Sequence, residues 1–251
     1  MTISAEKAEI VKRFNENVRG KRTGVMTTNS AHDGQDGHWL EQQMGIKANA
    51  SNTPDLFGYE MKNQTTSKTT FGDWSADYYI YKDSSNGISR DNFLTIFGKP
   101  NPEKGGRCSW SGEPCPKINV TNSFGQTLIV DSANNIHAIY SFSKDTRANK
   151  KEIIPLLLQK EDLTLAKWNE NSIRVKLENK FNQKGWFKCV KQGGVYIQLA
   201  FGNPISFDVW IKWVKTGDVF FDSGMFQGNS RNYSQWRANN TFWDKLICER
   251  Y

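Results

Sequence analysis

At 251 residues, with 37% hydrophobic, 13% aromatic and 24% charged residues, the chain can bury a core; this excludes a disordered segment and fits one domain or two closely packed lobes. A formal charge of +7 and a pI near 9.1 favour a polyanionic partner, nucleic acid first. The longest apolar run, 153–158, is too short to span a bilayer and is interrupted by Pro155, and the start MTISAEKAEI has no signal-type apolar stretch, so the expectation is a cytoplasmic protein with no membrane partner.

Residues 4–18 carry Ala8, Val11, Phe14 and Val18 at helical spacing behind Ser4 as N-cap, predicting an amphipathic helix that ends at Gly20. In the basic loop 19–24, Lys21 and Arg22 suit a phosphate backbone as well as a solvated turn. The stretch DGQDG at 33–37 leads into a short helix from His38 to about Met44, with Asp36 as cap and Glu41 in its middle. Strands are expected at 57–63 and 77–82, a helical or extended segment at 90–97, and a long loop over 98–117. A hairpin follows from 126–131 and 136–143, then a helix over 160–168 and strands over 172–181, 185–191, 195–201 and 206–215. The class is α+β or mixed α/β with a large sheet.

Trp210 and Trp213 would fall on opposite faces of one strand, one toward the core and one toward a ligand, while Trp74 and Trp110 sit in loops where they can abut sugar or bases. Core packing accounts for most of the nine tryptophans. The four cysteines lack a CxxC pair; Cys108 and Cys115 are weighed as zinc ligands with His137, but the spacing is irregular and free thiols are the plainer reading. His32, His38 and His137 have no metal-site spacing, and neither GxSxG nor GxxxxGK occurs.

The densest signal is PDLFGYEMK at 54–62. In an extended strand Glu60 and Lys62 share one face while Tyr59 and Met61 turn to the core, and Asp55, beside a turn at Gly58, can approach Glu60. Two carboxylates, the Met61 carbonyl and a phosphate oxygen suit Mg2+, which activates water, with Lys62 holding or deprotonating that water or stabilising the transition state. The same string also describes a half-exposed strand with a surface ion pair.

Three stretches, Gly34-x-x-Gly37-x-x-Leu40-Glu41, the D-x4-E-x-K of 54–62 and LTIFGKPNP at 94–102, give a resemblance to the MvaI/BcnI-type restriction endonucleases and, more distantly, to the MutH mismatch-repair nickase. The resemblance implies a PD-(D/E)XK nuclease core sheet flanked by helices with a β-rich DNA-recognition lobe, divided roughly into a catalytic lobe at 1–145 and a recognition lobe at 146–251. It implies a monomeric, Mg2+-dependent type II restriction endonuclease using one or two ions on double-stranded DNA, with a cognate DNA methyltransferase as genetic partner. Carried over by position, Asp55 and Glu60 are metal ligands, Lys62 is the catalytic lysine, and Glu41 is a helix-borne acid orienting Lys62 or an outer metal water.

The region corresponding to the family's base-reading stretch, MFQGNSRNYSQWR at 225–237, lacks the family's histidines, so no target is carried over. Arg231 and Arg237 suit guanine O6/N7, and Asn229, Gln235 or Gln227 suit adenine; a polar surface loop anchored by Trp236 is the other reading. Lys21, Arg22, Lys68, Lys99 and Arg107 are candidate phosphate contacts. The rivals are a MutH-like strand-specific nickase, a non-catalytic DNA-binding module and an aromatic-rich carbohydrate binder.

Overall fold

The computed structural model describes residues 3–23, 35–46, 52–63 and 65–251, without the side chains of Gln35 and Asp36. Gly24, His32, Asp33 and Gly34 of the sequence reading lie outside the described residues. In chain order the first elements are α1 (Ala5–Asn17), α2 (Gln35–Met44), β1 (Tyr59–Asn63), β2 (Lys68–Asp73), β3 (Tyr78–Tyr79), α3 (Arg90–Phe97), β4 (Lys99–Asn101), β5 (Arg107–Trp110), β6 (Phe124–Val130), β7 (Ile136–Asp145) and α4 (Lys150–Ile153). Then come β8 (Leu163–Trp168), α5 (Glu170–Phe181), β9 (Gly185–Gln192), β10 (Val195–Gly202), α6 (Phe207–Thr216), β11 (Val219–Ser223), β12 (Met225–Phe226), β13 (Ser234–Asn239), α7 (Asn240–Lys245) and β14 (Ile247–Arg250).

The chain forms two units, Met1–Thr69 with Lys176–Ser206 and Asn239–Tyr251, and Thr70–Val175 with Phe207–Ala238. Each unit draws on both halves of the chain, where the sequence expectation divided it at 145/146. The sheet of the first unit runs β1-β9-β10-β14, so β1 cannot be paired without strands from the C-terminal half. β1 lies parallel to β9, with Glu60 opposite Trp186 and Lys62 opposite Lys188. Ser4 caps α1 by accepting the Lys7 N–H, and Ile10, Phe14 and Val18 join Leu40 and Met44 in a core with Tyr59, Met61, Phe187 and Phe201. Burying that set is the main force that fixes the face on which β1 presents its charged residues.

The second unit contains the sheets β11-β13-β2, β12-β5-β4 and β3-β8-β7-β6. Its core is aromatic: Trp236 packs edge-to-face on Trp168 at 5.4 Å and on Trp210 at 5.3 Å, and Phe221 meets Trp110 at 5.4 Å. Trp74 and Trp110 are therefore core residues, buried with Trp110 donating to Gln126 at 2.6 Å, and not ligand-facing.

Several elements depart from the sequence expectation. The segments 172–181 and 206–215 are helices α5 and α6, because burial falls on Ile173, Leu177 and Phe181 and on Phe207, Trp210, Ile211 and Val214, which is helical spacing. Trp210 and Trp213 thus lie three residues apart on a helix, the first buried and the second partly exposed. The helix expected at 160–168 is strand β8, paired with β7 through His137 and Lys167. The strand at 77–82 is only Tyr78–Tyr79 before a turn of 3-10 helix, and the loop at 98–117 contains β4 and β5. α3 is helical, closed by a capping box of Ser89 and Asn92. Asp36 lies inside α2 instead of capping it.

Candidate active site

The local chain path at residues 54–63 is set by a tight turn. Leu56 and Tyr59 exchange both backbone hydrogen bonds, at 3.0 and 2.9 Å, around Phe57 and Gly58, whose φ angles of 52° and 85° are left-handed. Gly58 takes this conformation freely, and the reversal lays Asp55 back alongside β1. There its Oδ2 accepts the Met61 N–H at 2.9 Å. Because a strand residue points its N–H and C=O to the same side, the Met61 carbonyl faces the Asp55 side as well.

On the opposite pleat from Tyr59 and Met61, the Lys62 ammonium donates to Glu60 Oε1 at 2.8 Å, with the two side chains only 7% and 3% exposed. Lys180 of α5 reaches the same oxygen at 3.1 Å. Glu60 Oε2 is buried with no hydrogen-bond partner, and the ring of Phe181 lies 5.0 Å from the Lys62 ammonium. Burial, reinforced by the charge of Glu60, raises the Asp55 carboxyl to about 6. Burial pushes the Lys62 ammonium below its ordinary value, against the opposing pull of Glu60 and helped by the like charge of Lys180.

The arrangement suits a hard dication. It offers an unpartnered buried carboxylate oxygen, a second carboxylate whose charged form is penalised, and a backbone carbonyl on the same side. No cluster of three or more His, Cys, Asp or Glu occurs among the described residues, so a cation here would complete its shell with water or substrate oxygens, the habit of Mg2+.

The LlaMI restriction endonuclease family matches residues 18–251. Over 268 residues the chain is 45% identical to the type II restriction enzyme ScrFI of Lactococcus lactis subsp. cremoris, covering 98% of this chain and 99% of that one. The chain belongs to the LlaMI restriction endonuclease family. It is a type II restriction endonuclease. Its α+β fold is that of the solved complex of restriction endonuclease MvaI with cognate DNA substrate, matched at a TM-score of 0.64 and 13% identity over 100% of this chain and 99% of that one.

The other sequence-predicted residues of this LlaMI-family enzyme are dispersed. Glu41 lies on α2, partly exposed, with its carboxylate 3.4 Å from His38 Nδ1, whereas the ammonium of Lys62 is held by Glu60. Lys21 and Arg22 are exposed, Arg22 bridging to the Val195 backbone, and Lys68 opens β2. Lys99 pairs with Glu113 at 2.9 Å. Arg107 lies over the Phe226 ring, its Cζ 3.8 Å from the centroid.

Arg231 is 64% exposed, ion-paired to Asp73 at 2.7 Å and stacked on Tyr233 at 4.7 Å. Asn229 accepts the Arg231 N–H at 2.8 Å. On β13, Gln235 lies opposite Asp222, and Arg237 approaches that carboxylate at 3.3 Å. Gln227 is committed to structure, accepting the Cys108 N–H and donating to Thr95, and Trp236 is a buried anchor. Zinc is not supported at the cysteines: Cys115 is buried against the Phe221 carbonyl, and His137 is bonded to Asp131. No helix among the described residues is long and apolar enough to cross a membrane.

Sequence reasoning missed Lys180, Arg90 and Lys188. Read as a helix, 170–181 places Lys180 three residues from Leu177 and seven from Ile173, on the buried face, which was the available signal. Arg90 donates to Asn232 Oδ1 at 2.9 Å, the Phe226 carbonyl at 3.1 Å and the Arg231 carbonyl at 2.9 Å, and so pins the 226–232 segment. Lys188, only 1% exposed, neighbours Lys62 across the ladder and pairs with Asp244 at 3.0 Å.

Proposed function

We propose that this enzyme hydrolyses phosphodiester bonds of double-stranded DNA at a specific sequence, in an Mg2+-dependent reaction at the Asp55, Glu60 and Lys62 site. The observation that carries the reading is the buried Glu60–Lys62 pair beside Asp55, with Glu60 Oε2 unpartnered, in a chain of a restriction endonuclease family. Asp55, Glu60 and the Met61 carbonyl would hold one ion, a second remaining compatible with the substrate's own oxygens. When bound, Mg2+ lowers the pKa of water and offsets charge on the scissile phosphate.

The chain's own residues do the rest. Lys62 holds the attacking water at Nζ; burial destabilises its ammonium, so it can release that proton to solvent and, as the neutral amine, take the one the water loses. Glu60 Oε1 orients that ammonium while Oε2 stays open for the cation. Phe181 excludes bulk water from the Lys62 side. Glu41 is assigned to an outer water of the cation.

For binding, Lys21, Arg22, Lys68, Lys99 and Arg107 contact phosphates, while Asn229, Arg231, Gln235 and Arg237 face base edges. The enzyme works as a cytoplasmic monomer beside a cognate DNA methyltransferase that protects host DNA.

The test is digestion of unmethylated phage DNA and supercoiled plasmid with Mg2+ or with EDTA. Discrete Mg2+-dependent fragments are expected, and their ends give the target. Nicked circles as the final product would transfer the reading to a strand-specific nickase, and intact DNA across several substrates would overturn the proposal.

A further inference from the structure

Two ammonium groups converge on one oxygen of the candidate site, and only one belongs to the motif strand. Lys62 and Lys180 stand 2.8 and 3.1 Å from Glu60 Oε1, while Oε2 has no partner. Lys62 alone gives Glu60 a counter-charge. With Lys180 added, the charges of Asp55 and Glu60 are matched by those of the two lysines, and the carboxylate pair is neutralised by the chain itself.

The two lysines differ in their freedom to leave. Lys62 is 7% exposed and lies beneath the Phe181 ring, whereas the Lys180 side chain is 20% exposed and comes from the last turn of α5. A long, partly solvated side chain can swing away from Glu60 without opening the core. A dication added while both lysines remain would put a net double positive charge in a poorly solvated cluster; departure of Lys180 relieves the repulsion.

We propose that Lys180 is the resident counter-cation of the Asp55–Glu60 pair, displaced when a divalent ion enters, its ammonium then passing to a phosphate oxygen of the bound DNA. The proposal rests on the reading of Asp55 and Glu60 as cation ligands. It makes ion and DNA binding mutually supportive, since DNA supplies the acceptor that Lys180 loses and each ligand must favour the other by the same factor.

The test is calorimetric titration of Ca2+ into the DNA-free enzyme and its Lys180→Met, Lys180→Arg and Glu60→Gln variants, with circular dichroism as the folding control. Without Lys180 the entering ion no longer has to break the pair with Glu60, and a unit-charge contact at 3.1 Å is worth about tenfold in affinity even at the dielectric of water. Lys180→Met should therefore bind Ca2+ about that much more tightly than wild type, and Lys180→Arg close to wild type. In Ca2+, the salt slope of duplex DNA binding should fall by about 0.9 in Lys180→Met.

Unchanged or weaker Ca2+ affinity in Lys180→Met overturns the counter-cation role, and an unchanged salt slope overturns the transfer to phosphate. Lys180→Gln makes the same charge change if the methionine variant does not fold. Ca2+ affinity that survives Glu60→Gln overturns instead the underlying reading of the ligands.

Discussion

The charged groups around β1 are buried and held by one another, whereas Arg231 of the 225–237 segment is exposed and tethered to neighbours that a ligand can replace. Glu60 and Lys62 are 3% and 7% exposed, against 64% for Arg231. Low polarity around the first set makes each charge expensive unless matched, and so shifts titration and leaves Glu60 Oε2 as an open demand for a cation. The 225–237 segment leaves Arg231 largely in water. Its order comes from Arg90 pinning the backbone, and an exposed pair such as Arg231–Asp73 costs little to break. One region is built to change the chemistry of its groups, the other to hold their positions.

Lys62→Ala tests that division most severely. If chemistry resides in the β1 cluster, cleavage of supercoiled plasmid falls by about 10²–10⁴-fold, the usual worth of a positioned proton-transfer group, while gel-shift binding of the same DNA persists. Parallel loss of binding and cleavage would show that the lysine serves the surface role instead.

Asp55→Asn separates the regions by stability. The Asp55 carboxyl is raised from 3.8 to about 6, so the native chain holds this proton more tightly than the unfolded chain and the ionised group costs stability above that range. The metal-free variant should be more stable than wild type by roughly 3 kcal/mol at pH 8, from ~1.36 kcal/mol per pKa unit. Wild type regains stability as pH falls from about 6 toward 4, so the difference should shrink across that window in urea titrations at each pH. A difference that grows on acidification would contradict the buried-charge account. Divalent-ion affinity should weaken across the same window as protons compete for Asp55.

Arg231→Ala addresses the other region. If Arg231 makes a bidentate base contact, its loss should reduce discrimination between specific and altered sites by about 1–3 kcal/mol, with plasmid cleavage under saturating enzyme little changed. Competition binding with single-base-pair variants of the mapped site reads this out. Uniform weakening on every duplex would make Arg231 a phosphate contact.

The same contrast explains what was legible in the sequence. Asp55, Glu60 and Lys62 were readable because strand alternation and one tight turn bring them together over a few residues, and Tyr59 and Met61 do enter the core. Lys180 was not, because 172–181 was read as a strand: Ile173, Val175 and Leu177 alternate at a period of two, yet Val175 is 51% exposed and the helix buries Ile173, Leu177 and Phe181. Phe207, Val209 and Ile211 set the same trap in α6, where Val209 is 42% exposed. The interleaved units were also hidden, since no local signal tells β1 that its neighbour is β9.

The smallest effect is expected at Lys99, where the two regions' logics can be told apart by salt alone. Its ammonium pairs with Glu113 at 2.9 Å, both side chains being 52% exposed, so the pair contributes little to folding and Lys99→Ala should leave the melting temperature unchanged. If Lys99 contacts a phosphate, the variant should bind all duplexes slightly more weakly, and the slope of log affinity against log salt should fall by about 0.9, one counterion's share. A changed melting temperature with an unchanged slope would mean that Lys99 and Glu113 hold β4 in place, and that the basic groups around it belong to the scaffold and not to the DNA surface.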